Sequence, residues 1–291
     1  VSPEIRRIRR DEYREARALW DAVFPEDASG FSEYYFRART APEFILAAFD
    51  GARMVADLHA LPYPLRFGDA VKPCAMVGGV ATLPEYRRRG IAGALIRAVH
   101  EELREQGFVA AALKPDVDFY AQFGYLPFAY HDEYELTAKQ AEGFPAAALR
   151  DAEPAEMLAL YEPFAARFCG MMARTLRDME LYREEALLSG RAVTDGRAYA
   201  LFCADGEGAA VSELAGSDPL PLACALAREY GKAYFRLPAS AELAGLRTVS
   251  RMMFSMICPL DEKKLVEDTG ASSLADILAG ALGPCCTLEF C

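Results

Sequence analysis

The chain has 291 residues, 53% hydrophobic and 26% charged, enough material for two domains with a buried core in each. A net charge of −11 argues against nucleic acid as a partner and favours cationic ligands such as amines. No apolar run reaches membrane-spanning length and no signal-peptide pattern is present, so a cytoplasmic location without a membrane partner is expected. Eight cysteines without metal-ligand spacing predict buried, reduced thiols rather than disulfides or a metal site.

Glu4 to Arg10 reads as a strand, and Asp11 is a candidate N-cap for a helix carrying Ala16, Leu19, Trp20, Val23 and Phe24 at helical spacing. Pro25 closes it. A second helical piece, Ser32 to Ala38, follows Phe31 and carries Tyr34, Tyr35 and Phe36, for which packing is favoured over substrate contact. Phe44 to Asp50 and Met54 to Arg66 predict a hairpin turning at Asp50-Gly51. After the turn at Gly68-Asp69 comes an apolar strand, Met76 to Thr82, that stops at Pro84.

The period then changes. Arg87-Arg88-Arg89-Gly90 leads into a helix with Ile91, Ala94, Leu95 and Val99 on one face, ending at Gly107. A strand feeding a basic, glycine-containing turn and then a helix N-terminus makes an anion site, suited to a pyrophosphate. It is neither a Walker loop nor a G-x-G-x-x-G turn. Phe108 to Leu113, apolar throughout, reads as a central strand.

The string Thr82-x-Pro84-x-x-Arg87-x-x-Gly90-x-Ala92 resembles the acetyl-CoA signature of the GNAT superfamily of N-acetyltransferases. That resemblance implies acetyl-CoA as cofactor, held by the backbone of Val80, Ala81 and Thr82 and by Arg87, Arg88, Arg89, Gly90, Ile91, Ala92 and Gly93. It also implies that the strand ending at Leu113 splays from its neighbour, with Pro115-Asp116 bordering the gap, and that the first two helices wall the acceptor pocket. Phe119-Tyr120-Ala121-Gln122-Phe123-Gly124-Tyr125 is similar to the family's F-Y-x-x-x-G-F/Y element. A tyrosine hydroxyl near the sulfur can protonate a departing thiolate, a role given to Tyr120, with core packing as the bland reading and Tyr125 as the weaker contender.

The polar stretch Thr137 to Gly143 with Pro145 suggests a linker. Beyond it, helices at Ala155 to Phe168 and Leu176 to Leu188, strands at Ala198 to Cys203 and Ala209 to Leu214, a helix at Leu220 to Tyr230 and a strand at Ala233 to Leu237 fit a second acetyltransferase-like unit. It has no R-x-x-G-x-G/A turn. Two such lobes with one cofactor loop resemble the bacterial enhanced intracellular survival acetyltransferases, as do the Arg87–Gly90 turn, Leu160-Tyr161-Glu162, Gly170-Met171-Met172 and Arg174-Thr175. That family carries a full sterol-carrier-like domain after the second lobe, whereas only residues 258–291 follow here. In the family the terminal carboxylate is the general base, which by resemblance falls to Cys291; the rivals are Glu289, His59 and Asp57, and the apolar strand context of His59 fits packing better. Leu274, Ile277, Leu278 and Leu282 fit a terminal helix that packs within the chain or on a partner.

The expected fold class is thus α/β (α+β). A GNAT fold with a central mixed, mostly antiparallel sheet spans residues 1–137, a degenerate GNAT-like lobe spans 138–257, and a tail spans 258–291. The expected function is acetyl transfer from acetyl-CoA to a primary amine by direct attack, on a polyamine or aminoglycoside-like molecule or a lysine. No cysteine beside the loop offers a covalent route. The alternatives are a non-catalytic acyl-CoA-binding module and a protein or peptide N-acetyltransferase. Relatives assemble through their second and third domains, which leaves a homo-oligomer open.

Overall fold

The computed structural model describes residues 3–28, 30–145, 147–239 and 246–288. Strand β1 (Glu4–Arg7) and helix α1 (Tyr13–Val23) open the chain. Helix α2 (Phe31–Tyr34) continues as a π-helical turn over Tyr35–Arg39, closed by the Thr40 N–H donating to Tyr35 O. Strands β2 (Ile45–Asp50), β3 (Arg53–Phe67) and β4 (Ala70–Thr82) form an antiparallel meander. Helix α3 (Ile91–Glu105) then crosses to β5 (Ala110–Leu113), which lies parallel to β4. Short α4 (Val117–Tyr120) precedes the long β6 (Leu126–Thr137).

Thr137 to Gly143 is not an open linker. Thr137 and Gln140 form a capping box that starts α5 (Ala138–Ala141), so the polar residues serve a helix end. There follow β7 (Arg150–Asp151), α6 (Pro154–Ala165), α7 (Leu176–Ala186), β8 (Arg191–Thr194), β9 (Ala198–Asp205), β10 (Gly208–Gly216), α8 (Leu220–Tyr230), β11 (Lys232–Pro238), β12 (Ser250–Pro259), α9 (Glu262–Val266) and α10 (Leu274–Leu278). Pro163 sits inside α6, where its missing N–H falls near the helix end.

All these strands belong to one mixed sheet in the order β1-β2-β3-β4-β5-β12-β6-β11-β10-β9-β8-β7. Two lobes repeat one plan: β3, β4, α3 and β5 in the first correspond to β9, β10, α8 and β11 in the second, with a parallel pair closing each. Strand β12, which the sequence pattern does not announce, runs between β5 and β6 and pairs antiparallel with both. Helices α1 and α2 cover one face of the first half and α3 the other. Leu274 and Ile277 of α10 are buried against the α1 face, so that helix packs within the chain. Cys203 lies exposed, against the expectation of burial, while Cys74, Cys169, Cys224, Cys258 and Cys286 are buried. Among the described residues no helix is long and apolar enough to cross a membrane.

Candidate active site

The site begins with a fault in a strand. Opposite β3, Asp57 pairs with Ala81 and His59 with Gly78, so β4 carries one extra residue there. Gly79 takes the left-handed conformation at this bulge, φ +56°, a value that glycine alone adopts at no steric cost. On the other edge, β4 pairs with β5 only from Cys74 to Met76, against Ala110 to Ala112. Beyond Met76 the two parallel strands part, and the β4 edge past the bulge faces a gap rather than a ladder.

That gap opens into a cavity of about 620 Å³. Gly78, Gly79 and Val80 form one wall, Leu113 to Asp116 the opposite one, and Tyr120 closes the end. The Asp116 carboxylate accepts from the Phe119 N–H at 3.2 Å as the N-cap of α4, which sets Tyr120 at the last residue of that helix. Burial pushes the Tyr120 hydroxyl up to about 12, with the Asp116 charge adding to it, so it keeps its proton at neutral pH. Tyr125 is differently placed: it is fully buried and its Oη lies 3.0 Å from His100 Nε2, so it packs behind Tyr120 instead of facing the cavity.

The Arg87 to Gly90 turn lies where β4 hands over to α3. All four residues are exposed, and Gly90, φ +77°, has no atom within 4 Å of where a Cβ would stand. The Arg87 side chain donates from Nε to Thr82 O at 3.1 Å, and Arg89 lies over the Tyr86 ring at 4.9 Å. Unpaired amides at the start of this fifteen-residue helix, together with the arginines, favour a bound anion. Ile91 and Gly93 are buried, so they face such a ligand through backbone only. At Gly93 a Cβ would stand 3.0 Å from the Phe123 ring, which fixes how closely α3 approaches the turn after α4. Ala81 is buried and Val80 and Thr82 half-buried, again leaving mainly backbone toward the gap.

The far side of the cavity comes from two separated parts of the chain. Trp20 of α1, Phe24 just after it, Phe31 of α2 and Tyr35 of the π-helical turn line it, whereas Tyr34 and Phe36 turn into the core. Glu185 reaches the same cavity from α7 of the second lobe. Its position is secured by contacts between the lobes: the Tyr34 hydroxyl donates to Leu181 O, Arg37 pairs with Glu184, and the Arg39 guanidinium lies 4.6 Å from the Tyr182 ring centroid. Burial pushes the Glu185 carboxyl up, and the nearby Arg39 charge opposes that shift. No local motif marks Glu185, so nothing in the sequence pattern singles it out.

The second lobe has the same bulge and parting, and the parted strands open on a cavity of about 480 Å³ lined by Val211, Ser212, Phe235 and Arg236. An extra residue of β10 lies between Val211 and Glu213, and β10 pairs with β11 only at Ala209 and Ala210. Glu213, just past that bulge, takes both Arg174 amino groups at 2.7 and 2.8 Å and also the Tyr199 hydroxyl, all buried. Before α8 stands Asp218, paired with Arg197, where the first lobe has arginines. An acidic residue at a helix N-terminus repels phosphate.

Residues 4–128 match the family model described as an acetyltransferase (GNAT) domain. Over those residues the chain is similar to the GNAT acetyltransferases. It is 25% identical over 210 residues to the N-acetyltransferase Eis of Mycobacterium tuberculosis (strain CDC 1551 / Oshkosh), an alignment covering 64% of this chain and 52% of that protein. The chain thus spans about half the length of the curated relatives it matches. Among solved structures, Eis1 from Mycobacterium abscessus superposes with a TM-score of 0.68 at 18% identity, over 89% of this chain and 74% of that one. A GCN5-related N-acetyltransferase from Kribbella flavida gives 0.70 at 19%, over 89% and 71%. These matches run past the GNAT domain and across both lobes, and they show that the two-lobed fold is shared.

The bulge, the parted strands and Tyr120 all lie inside the matched GNAT region. Glu185 lies outside it. Cys291 and Glu289, named from the sequence as bases, lie outside the described residues. His59 and Asp57 are fully buried behind Tyr35 and are described below.

Proposed function

We propose that the chain is an acetyl-CoA-dependent N-acetyltransferase acting on a small cationic primary amine. The observation that carries this reading is the single cavity joining the parted β4 and β5, Tyr120 and the carboxylates of Glu26, Asp116 and Glu185. It is supported by the relatives that bear the name N-acetyltransferase.

Acetyl-CoA would supply an activated thioester and a thiol leaving group. The unladdered β4 edge from Gly78 to Val80 offers backbone groups to a pantetheine arm, and the Arg87–Gly93 segment offers arginines and helix amides to a pyrophosphate. Backbone N–H groups at the bulge would polarise the acyl oxygen. Tyr120 Oη holds the proton that a departing thiolate needs, and its raised pKa keeps that proton in place until then.

Around the cavity as a whole, Glu26, Asp116 and Glu185 outnumber Lys114 and Arg39, and Arg39 is already engaged by the Tyr63 and Tyr182 hydroxyls. A second positive charge on the acceptor would find Glu185. Glu185 brings α7 of the second lobe to the cavity, and we read that carboxylate as selecting a small polycation.

The test is thiol release from acetyl-CoA with a panel of polyamines, aminoglycosides and lysine peptides, beside calorimetric titration of acetyl-CoA. Turnover with a small polycation is expected. Binding without turnover across the panel would make the chain an acyl-CoA-binding module, and turnover restricted to lysine peptides would move the acceptor to proteins.

A further inference from the structure

Behind the aromatic wall of the cavity lies a line of three polar side chains. Tyr35, at the start of the π-helical turn, lines the cavity, and its Oη lies 2.9 Å from His59 Nδ1. The other ring nitrogen, Nε2, lies 3.7 Å from Asp57 Oδ2. His59 and Asp57 are two residues apart on β3, and both have no exposed surface. Trp20 and Phe36 enclose the imidazole, with ring centroids 5.3 and 5.6 Å away.

This arrangement is costly as packing alone. Among the described residues, neither Asp57 carboxylate oxygen nor His59 Nε2 has a hydrogen-bond partner. A buried carboxyl in that state destabilises the fold. Apolar side chains would fill the same space without that cost. Burial pushes the Asp57 carboxyl up, while the imidazole opposes the shift, so the carboxylate is best accommodated when His59 carries a charge.

The line of carboxylate, imidazole and hydroxyl ends in Tyr35, a residue that lines the cavity, where an amine acceptor would enter as an ammonium ion and must lose a proton before it can attack. We propose that Tyr35, His59 and Asp57 form a relay that takes this proton. The inference rests on the acetyltransferase reading given above. In the step, an ammonium N–H passes its proton to Tyr35 Oη as the Tyr35 O–H proton moves to His59 Nδ1. The pair of the broken N–H bond stays on nitrogen as the lone pair that attacks, no oxidation state changes, and the imidazolium faces Asp57. His59 must start as the tautomer protonated at Nε2, the nitrogen that points toward the carboxylate. Tyr35 touches the acceptor; His59 and Asp57 act through it.

The experiment compares Tyr35→Phe and His59→Gln with the parent chain on two acceptors: the best basic amine of the panel, and methoxyamine, which is neutral at pH 7. A proton acceptor contributes roughly 10²- to 10⁴-fold to rate. Turnover of the basic amine should fall by about that much, with the KM values for amine and acetyl-CoA nearly unchanged. Methoxyamine turnover should stay close to the parent value, because no ammonium proton has to be removed. Equal losses on both acceptors, or an undiminished rate with the basic amine in Tyr35→Phe, would overturn the relay while leaving the acetyltransferase reading intact. Absence of turnover by the parent chain with either acceptor would overturn that reading and the relay together. Tyr35→Phe keeps the ring that stacks on Trp20, so it remains informative if His59→Gln fails to fold.

Discussion

Gly79 lies so close beneath Trp20 that a Cβ there would overlap the ring at Cζ3 and stand 3.1 Å from Cε3. The bulge in β4 and the aromatic wall of the acceptor side are therefore one packed unit. Gly79→Ala must displace the indole and also hold an alanine at positive φ, at a cost of roughly 1–3 kcal/mol for the backbone strain alone. We expect a lower Tm and an activity loss larger than the stability loss explains, measured by thermal unfolding beside steady-state assays. A variant with unchanged Tm and rate would mean that the bulge is not fixed by this contact.

Tyr120→Phe leaves the ring between Phe119 and Tyr125 and removes only the hydroxyl. If Tyr120 is the acid, kcat falls roughly 10²- to 10⁴-fold while the affinity for acetyl-CoA, read by calorimetry, stays the same. Parallel loss of both would assign the hydroxyl to binding.

Glu185→Gln keeps the shape of the cavity wall and removes a charge contributed by the second lobe. A hydrogen bond to a charged group contributes about 1.5–3 kcal/mol, which corresponds to a KM for a polycationic acceptor raised by roughly one to two orders of magnitude. The KM for a monoamine and the affinity for acetyl-CoA should change little. Equal effects on monoamines and polyamines would remove Glu185 from acceptor recognition.

The pairing Arg88→Ala and Arg89→Ala addresses the turn before α3. Both side chains are exposed, so their attraction for an anion is screened by salt. Calorimetry at low salt should show weaker acetyl-CoA binding for each, and the difference should shrink at high salt. A salt-independent loss would point to a change in the loop itself.

Acid should unfold this protein through two histidines. Burial pulls His100 and His131 down to about 4, against roughly 6.5 in an unfolded chain. Between those values the unfolded state binds more protons, so the stability these neutral imidazoles sustain above pH 6.5 is lost as pH falls toward 4. Each imidazole contributes a slope of up to about 1.4 kcal/mol per pH unit. His131 stacks on Phe254 with ring centroids 3.8 Å apart, and His131→Phe keeps an aromatic there. Urea unfolding at pH 7 and pH 5 should show a smaller drop for His131→Phe than for the parent; an equal drop would place the acid sensitivity elsewhere.

The first lobe was readable where its structure is local. The Arg87–Gly90 turn with its flanking strand and helix declares itself within a dozen residues, because turn chemistry and period are properties of neighbours, whereas the Phe119 to Tyr125 element was read through resemblance. The fork between β4 and β5 followed only from resemblance, since a missing ladder leaves no mark in an apolar strand. Glu185, and the meeting of Tyr35 with His59, depend on contacts between segments far apart in the chain, which no window of sequence contains. The apolar run 250–259 carries no sign of where it will pair. Thr137 to Gly143 misled for a physical reason: the polar residues that begin a helix are also those that make a linker.

Placing β12 between β5 and β6 has a consequence for how the protein is made. A ribosome delivers β1 to β5 more than a hundred residues before the strand that covers the open edge of β5. Throughout that interval the nascent chain exposes an unpaired, apolar strand edge of the kind that invites association with other chains. Neither lobe's part of the sheet is joined to the other's until that late strand arrives, so completion of the fold waits on a single pairing event, closed over a long stretch of sequence and correspondingly slow.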